Sequence, residues 1–234
     1  MPSANIELIR SIIKGDRERV MQLLDQGIDV DATGGVTPVG ETNTALMWAA
    51  AEGYLDIVMT LLARGADVNL KSASGYSPLM FAAEADARDI VSVLLDHGAN
   101  IHDRNQYAET ALMVMARQGQ TDLVQRLVKL GSDIEARNHI DNTALYLAAE
   151  NGHPYTVKAL IAAGARVNIE NKGGWTPLMM ASARGDLETM EILLAHGADV
   201  QPQNRWGATA LSEARNSFRS ARAVELLMRA GATE

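Results

Sequence analysis

The chain has 234 residues, 47% apolar and 21% charged, with a net charge of −8 and no cysteine. These values fit a folded soluble protein of one or two domains and exclude disulfide staples and thiolate metal sites. The acidic balance opposes general affinity for nucleic acid, since phosphate binding needs a basic surface. In chain order, residues 5–32 open with two helical patterns, Ile6 to Lys14 and Arg17 to Gln26. Residues 33–43 are Gly- and Thr-rich and read as an extended loop.

From Thr44 onward the chain repeats itself. Thr44-Ala-Leu-Met, Ser77-Pro-Leu-Met, Thr110-Ala-Leu-Met, Thr143-Ala-Leu-Tyr, Thr176-Pro-Leu-Met and Thr209-Ala-Leu-Ser start 33 residues apart. Gly65, Gly98, Gly131, Gly164 and Gly197 keep the same step, as do the apolar pairs from Leu61-Leu62 to Leu226-Leu227. Within one period, Thr or Ser reads as an N-cap whose hydroxyl accepts from first-turn N–H groups. Pro78 and Pro177 follow at the first helical position, where proline loses no hydrogen bond. A short Ala-rich helix such as Leu46 to Ala51 comes next, then a break at Gly53, Gly119, Gly152 or Gly185. A second helix carries apolar residues at helical spacing, such as Ile57, Val58, Leu61 and Leu62. Glycine then ends it at positive φ. A short extended stretch leads into a turn at Ser72, Asn105, Asn138, Asn171 or Asn204.

This pattern resembles the ankyrin repeat, with its 33-residue period and T-P-L-H-x-A motif, over nearly the whole chain. The resemblance implies an all-α ankyrin-repeat solenoid of about seven helix–turn–helix units joined by β-turn fingers. Residues 1–234 are read as a single domain: an N-terminal capping unit at 5–32, an extended finger loop at 33–43, regular repeats at 44–201 and a C-terminal capping unit at 202–234. The last unit holds one extra residue before Gly231, and the first finger holds five extra, because Asp31 to Thr44 is 13 positions where Asn69 to Ser77 is 8. In the family the motif histidine bonds turn backbone. Here Met47, Met80, Met113, Tyr146, Met179 and Ser212 stand in its place. Methionine is expected not to make that bond, which puts the stiffness of the turns in question.

The resemblance further implies a protein partner docked across the concave face of fingers and first helices. Lys71, Arg104 and Arg137 form a basic column one residue before the turn Ser or Asn, with Lys172 and Arg205 two residues further along later fingers. Such a stripe suits a partner with an acidic segment. Asp103, Glu109, Asp141 and Glu170 lie in the same fingers, so the plainer alternative is solvated turn charge. A first-helix column, Trp48, Phe81, Val114, Leu147 and Met180, borders the face carrying Glu52, Ala85, Gln118, Asn151 and Arg184. It is either a recognition groove or packing between repeats. The finger aromatics Tyr76, Tyr107, Trp175 and Trp206 are a third set of binding candidates.

No phosphate loop, dinucleotide fingerprint or Ser–His–Asp arrangement is legible, so neither catalysis nor a cofactor is expected. His97 and His196 precede a helix-ending glycine, where a cation suits the helix C-terminus. His102 and His139 lie in adjacent fingers but at different positions, a poor start for a metal site. No apolar run approaches the roughly 18 residues of a membrane span, and Met1 to Glu7 lack a secretory pattern. The expectation is a cytoplasmic, monomeric scaffold, adaptor or inhibitor that binds protein, with no nucleic acid and no membrane. The alternatives are a small-molecule or metal sensor using 33–43 as a lid, and a self-associating structural protein.

Overall fold

A computed structural model describes residues 2–34, 43–217 and 220–233. Among them are fourteen helices: α1 Pro2–Ile13, α2 Arg17–Asp25, α3 Ala45–Glu52, α4 Leu55–Ala63, α5 Pro78–Glu84, α6 Arg88–Asp96, α7 Ala111–Arg117, α8 Thr121–Lys129, α9 Ala144–Asn151, α10 Pro154–Ala162, α11 Pro177–Arg184, α12 Leu187–Ala195, α13 Ala210–Asn216 and α14 Ser220–Arg229. They form the seven expected pairs. The first helix begins four residues earlier than its apolar pattern, and α14 takes up the extra residue of the last unit, with ten residues where the other second helices have nine.

The chain divides into two compact units, Met1–Gln106 and Tyr107–Glu234. In the first, α1, α3 and α5 form one layer of neighbours and α2, α4 and α6 the other. In the second, the layers are α7, α9, α11, α13 and α8, α10, α12, α14. The motif leucines Leu46, Leu79, Leu112, Leu145, Leu178 and Leu211 are all buried. Ala49-Ala50, Ala82-Ala83 and Ala148-Ala149 are fully buried beside them, and their small side chains let neighbouring first helices approach closely. This is how a chain with two phenylalanines fills its core.

Each cap follows from the motif. Thr44, Ser77, Thr110, Thr143, Thr176 and Thr209 accept from the backbone N–H three residues on, at 3.1–3.4 Å. One expectation about the motif slot is corrected. Met47 does bond the turn: its Sδ accepts from the Thr44 N–H at 3.4 Å, a weak but real acceptor in a fully buried place. Ser212 does the same more strongly, its Oγ accepting from the Thr209 N–H at 2.9 Å. His97 and His196 donate from Nδ1 to Val93 and Ile192 carbonyls at 2.8 and 2.7 Å, satisfying last-turn acceptors.

The inserted first finger is rooted by a two-stranded antiparallel pair, β1 Thr33–Gly34 and β2 Asn43–Thr44, with Thr33 opposite Thr44 and Gly34 opposite Asn43. β1 packs on α1, and a Cβ on Gly34 would stand 3.0 Å from Ile9 Cγ1. Residues 35–42, on which the lid reading rests, lie outside the described residues.

At the finger turns, Gly75, Gly174 and Gly207 have φ of +77 to +79°, but the same slot holds Ala108 at +60° and Asp141 at +63°. Alanine meets a steric penalty there that glycine does not. The Ala108→Gly variant is expected to be more stable by about 1 kcal/mol, read as a higher urea midpoint at unchanged slope.

Candidate protein-interaction surface

Each finger is built by its turn residue. Asn138 Oδ1 accepts from the Ile140 and Asn142 N–H groups at 3.1 and 3.0 Å. Asn171 Oδ1 accepts from Gly173 and Trp175, and Asn204 Oδ1 from Trp206 and Ala208, at 2.8–3.0 Å. In the first unit Ser72 Oγ does the equivalent for the Tyr76 N–H at 3.1 Å. Successive fingers are then tied backbone to backbone. Gln106 N–H donates to the Ser74 carbonyl at 2.7 Å in the first unit. In the second, His139, Lys172 and Arg205 N–H groups donate to the Tyr107, Ile140 and Gly173 carbonyls at 2.9–3.0 Å. At the finger bases Asn69 Oδ1 accepts from the Asn100 N–H at 2.8 Å, and Asn168 Oδ1 from the Asp199 N–H at 2.9 Å. The fingers are therefore preorganised.

On this frame the predicted cations separate by unit. Lys71 and Arg104 belong to the first, and both are exposed. Lys71 Nζ lies 3.3 Å from Asp103 Oδ1 on the next finger. Arg137, Lys172 and Arg205 belong to the second and are exposed. Arg137 Nη1 lies 3.9 Å from Asp141 Oδ2 and donates to the Glu170 carbonyl at 3.4 Å. Lys172 Nζ donates to the His139 carbonyl at 2.7 Å, which holds it without neutralising it.

The apolar first-helix column is not an open groove along its length. Val114 and Leu147 are buried, and Trp48, Phe81 and Met180 are half-buried. Trp48 Nε1 donates to the Gly34 carbonyl at 3.0 Å, bracing β1. Phe81 packs against Tyr76 with ring centroids 5.4 Å apart. On the fingers of the second unit three large apolar side chains meet solvent: Tyr107 is 54%, Ile140 55% and Trp206 74% exposed. Ile140 was not among the residues singled out from the sequence. The signal was present, because Tyr107, Ile140, Gly173 and Trp206 form one 33-residue column.

A polar cluster beneath the fingers of the second unit was also missed. Arg117 Nη1 lies 2.7 Å from Oε1 of the buried Glu109, and the Arg117 carbonyl accepts from His153 Nε2 at 2.9 Å. Burial raises the Glu150 carboxyl above its ordinary range, although Arg117 and Arg184 pull it down. Burial, reinforced by the Glu150 charge, raises the Tyr146 hydroxyl, against a lowering hydrogen bond from Asn171. Among the described residues no group of three or more His, Asp or Glu is placed to hold a metal, and no helix is long and apolar enough to cross a membrane.

The family of ankyrin repeats, in three copies, matches residues 8–105, 101–171 and 145–233. This chain belongs to the ankyrin-repeat family. The human ASB11 ankyrin repeat domain, a crystal structure, superposes with a TM-score of 0.80 over 97% of this chain and 98% of that one, at 23% identity. Two curated relatives match more locally. Mouse (Mus musculus) 2-5A-dependent ribonuclease is 39% identical over 74 residues, 30% of this chain and 9% of that protein. Palmitoyltransferase Hip14 of Drosophila melanogaster is 39% identical over 66 residues, 28% of this chain and 10% of that protein. The matched stretches thus cover about a tenth of each relative, and they are ankyrin repeats in enzymes whose names describe other chemistry. Ankyrin repeats are in general protein–protein interaction modules.

Two tests follow from this ankyrin surface. A carboxyl raised by burial favours the protonated native state, so the associated stability is present below the unfolded pKa of about 4.3 and is lost as pH rises through the folded value. Glu150→Gln is therefore expected to raise the melting temperature at pH 7 and to leave it unchanged near pH 4, measured by calorimetry. Trp48→Phe removes the bond to Gly34 and is expected to destabilise by about 1 kcal/mol, with faster amide exchange at Gly34 and Asn43.

Proposed function

We propose that this ankyrin domain acts as a monomeric, cytoplasmic protein-binding module, a scaffold, adaptor or inhibitor, engaging an acidic segment of its partner across fingers and first helices. The reading takes residues 1–234 as one interaction domain, with capping units at 5–32 and 202–234. The observation that carries it is the set of exposed finger cations, Lys71 and Arg104 in the first unit and Arg137, Lys172 and Arg205 in the second, on turns already held by backbone hydrogen bonds. A turn backbone that is already ordered loses little freedom on binding. Tyr76, Tyr107, Trp175 and Trp206 on the same fingers, with Trp48 and Phe81 on α3 and α5, supply apolar contact. Self-association through the first-helix column has less support, because Val114 and Leu147 are buried. The net charge of −8 argues against nucleic acid.

The test is affinity capture from source-cell lysate with the wild-type chain and with a Lys71→Glu, Arg104→Glu, Arg137→Glu variant whose circular dichroism matches it. A partner identified by mass spectrometry is expected to bind the variant at least about tenfold more weakly, with steep salt dependence. Equal binding to both would reduce these cations to solvated charge.

A further inference from the structure

One pair of fingers in the second unit departs from the others. Trp175 stands where the two preceding fingers carry Glu109 and Asn142, and where the first unit carries Tyr76. Asn142 Oδ1 accepts from the side-chain amide of Asn171 on the next finger at 2.9 Å. An indole offers no such acceptor. Asn204, the next turn residue, is buried, and its Nδ2 has no hydrogen-bond partner among the described residues. The chain thus leaves a buried donor unsatisfied at this finger, which is destabilising, and the residue responsible is an aromatic.

The same tryptophan, itself half-buried, borders the exposed Trp206. Gly173 occupies the tip slot that holds Tyr107, Ile140 and Trp206 on the other fingers of this unit. A Cβ on Gly173 would stand 2.8 Å from Trp175 Cδ1, so the indole fills that slot from its own finger. Its ring centroid lies 6.5 Å from that of Trp206 with the planes at 50°, and Trp206 is 74% exposed. Over residues 170–176 and 203–209 the charged side chains are Glu170, Lys172 and Arg205, a net positive charge. Arg205 makes no ion pair with any described residue, and Lys172 is held on a neutral carbonyl.

We propose that the Trp175–Trp206 pair is a docking platform for an acidic peptide segment that lays a large apolar side chain on the indoles and sets carboxylates against Lys172 and Arg205. This rests on the protein-binding reading above and names the chemistry of its partner. A cationic guest, which two indole faces would otherwise suit, meets like charge from Lys172 and Arg205. A nucleic-acid strand meets few cations at this finger pair, on a protein of net charge −8. Carboxylates beside an apolar group satisfy both features at once.

A random peptide library displayed on phage, selected against the full chain, tests this, with tryptophan emission reporting the affinity of synthesised hits. The enriched sequences are expected to combine Asp or Glu with an aromatic or large aliphatic residue. Their binding should weaken about tenfold or more with Trp206→Ser and with Lys172→Glu plus Arg205→Glu. Trp175→Asn should abolish binding while melting no lower than wild type, since the new amide gives Asn204 Nδ2 an acceptor. A merely structural Trp175 would instead lower the melting temperature. Basic hits, hits indifferent to both tryptophan changes, or Trp206-dependent binding of an oligothymidine strand without peptide binding would overturn the platform. Hits that ignore Trp206→Ser but are lost with Lys71→Glu plus Arg104→Glu would overturn the platform and leave the binding-module reading standing. Failure of that reading shows instead as no peptide enriched and no partner captured.

Discussion

A pair of helices seven to twelve residues long cannot shield its own apolar faces, and every other feature of this chain answers to that constraint. Leu112 and Leu145 are buried because a neighbouring helix pair covers them, not because their own pair does. Close stacking demands small residues on the first helices, so alanines do the work that aromatics do in other cores. It also demands that every pair present its faces at the same height. A fixed period meets that demand, and the caps that start and stop each helix hold it. Gly65 makes the point: a Cβ there would meet nothing within 4 Å, so the residue is glycine for its φ of +86° alone.

This is why so much of the fold was legible. The Thr/Ser caps, the proline at N1, the helix-ending glycines and the turn asparagines each carry a local mechanism, and each appears where the sequence placed it. The methionine slot departs from expectation, because the Met47 thioether sulfur accepts a bond that methionine is expected not to make. The strands at 33–34 and 43–44 were invisible, since two residues on each side give no alternation to detect. The surface was harder. Reading columns located the basic fingers, but a residue's type does not reveal its neighbour across the stack. Lys71 faces Asp103 on the next finger, a pairing that spacing along the chain does not reveal, whereas Arg137 reaches Asp141 only four residues on in its own finger.

The aromatic columns show the same limit from the other side. Trp48 and Trp206 look alike as letters, yet one is spent on a backbone carbonyl of β1 and the other stands in solvent. Side-chain chemistry decides what a residue is able to do, and the next finger decides whether that capacity is already used. The polar cluster of Glu109, Arg117 and Glu150 is hidden for a related reason: Glu109 and Arg117 belong to one repeat, and Glu150 joins them only through the stacking of the next.

The layering has a kinetic corollary. Within each unit, helices touch partners one or two places away in chain order. Contacts so local need little loop closure, so any adjacent pair is able to nucleate and growth proceeds outward from it. Unfolding retraces that logic, because losing one pair uncovers the faces of its neighbours.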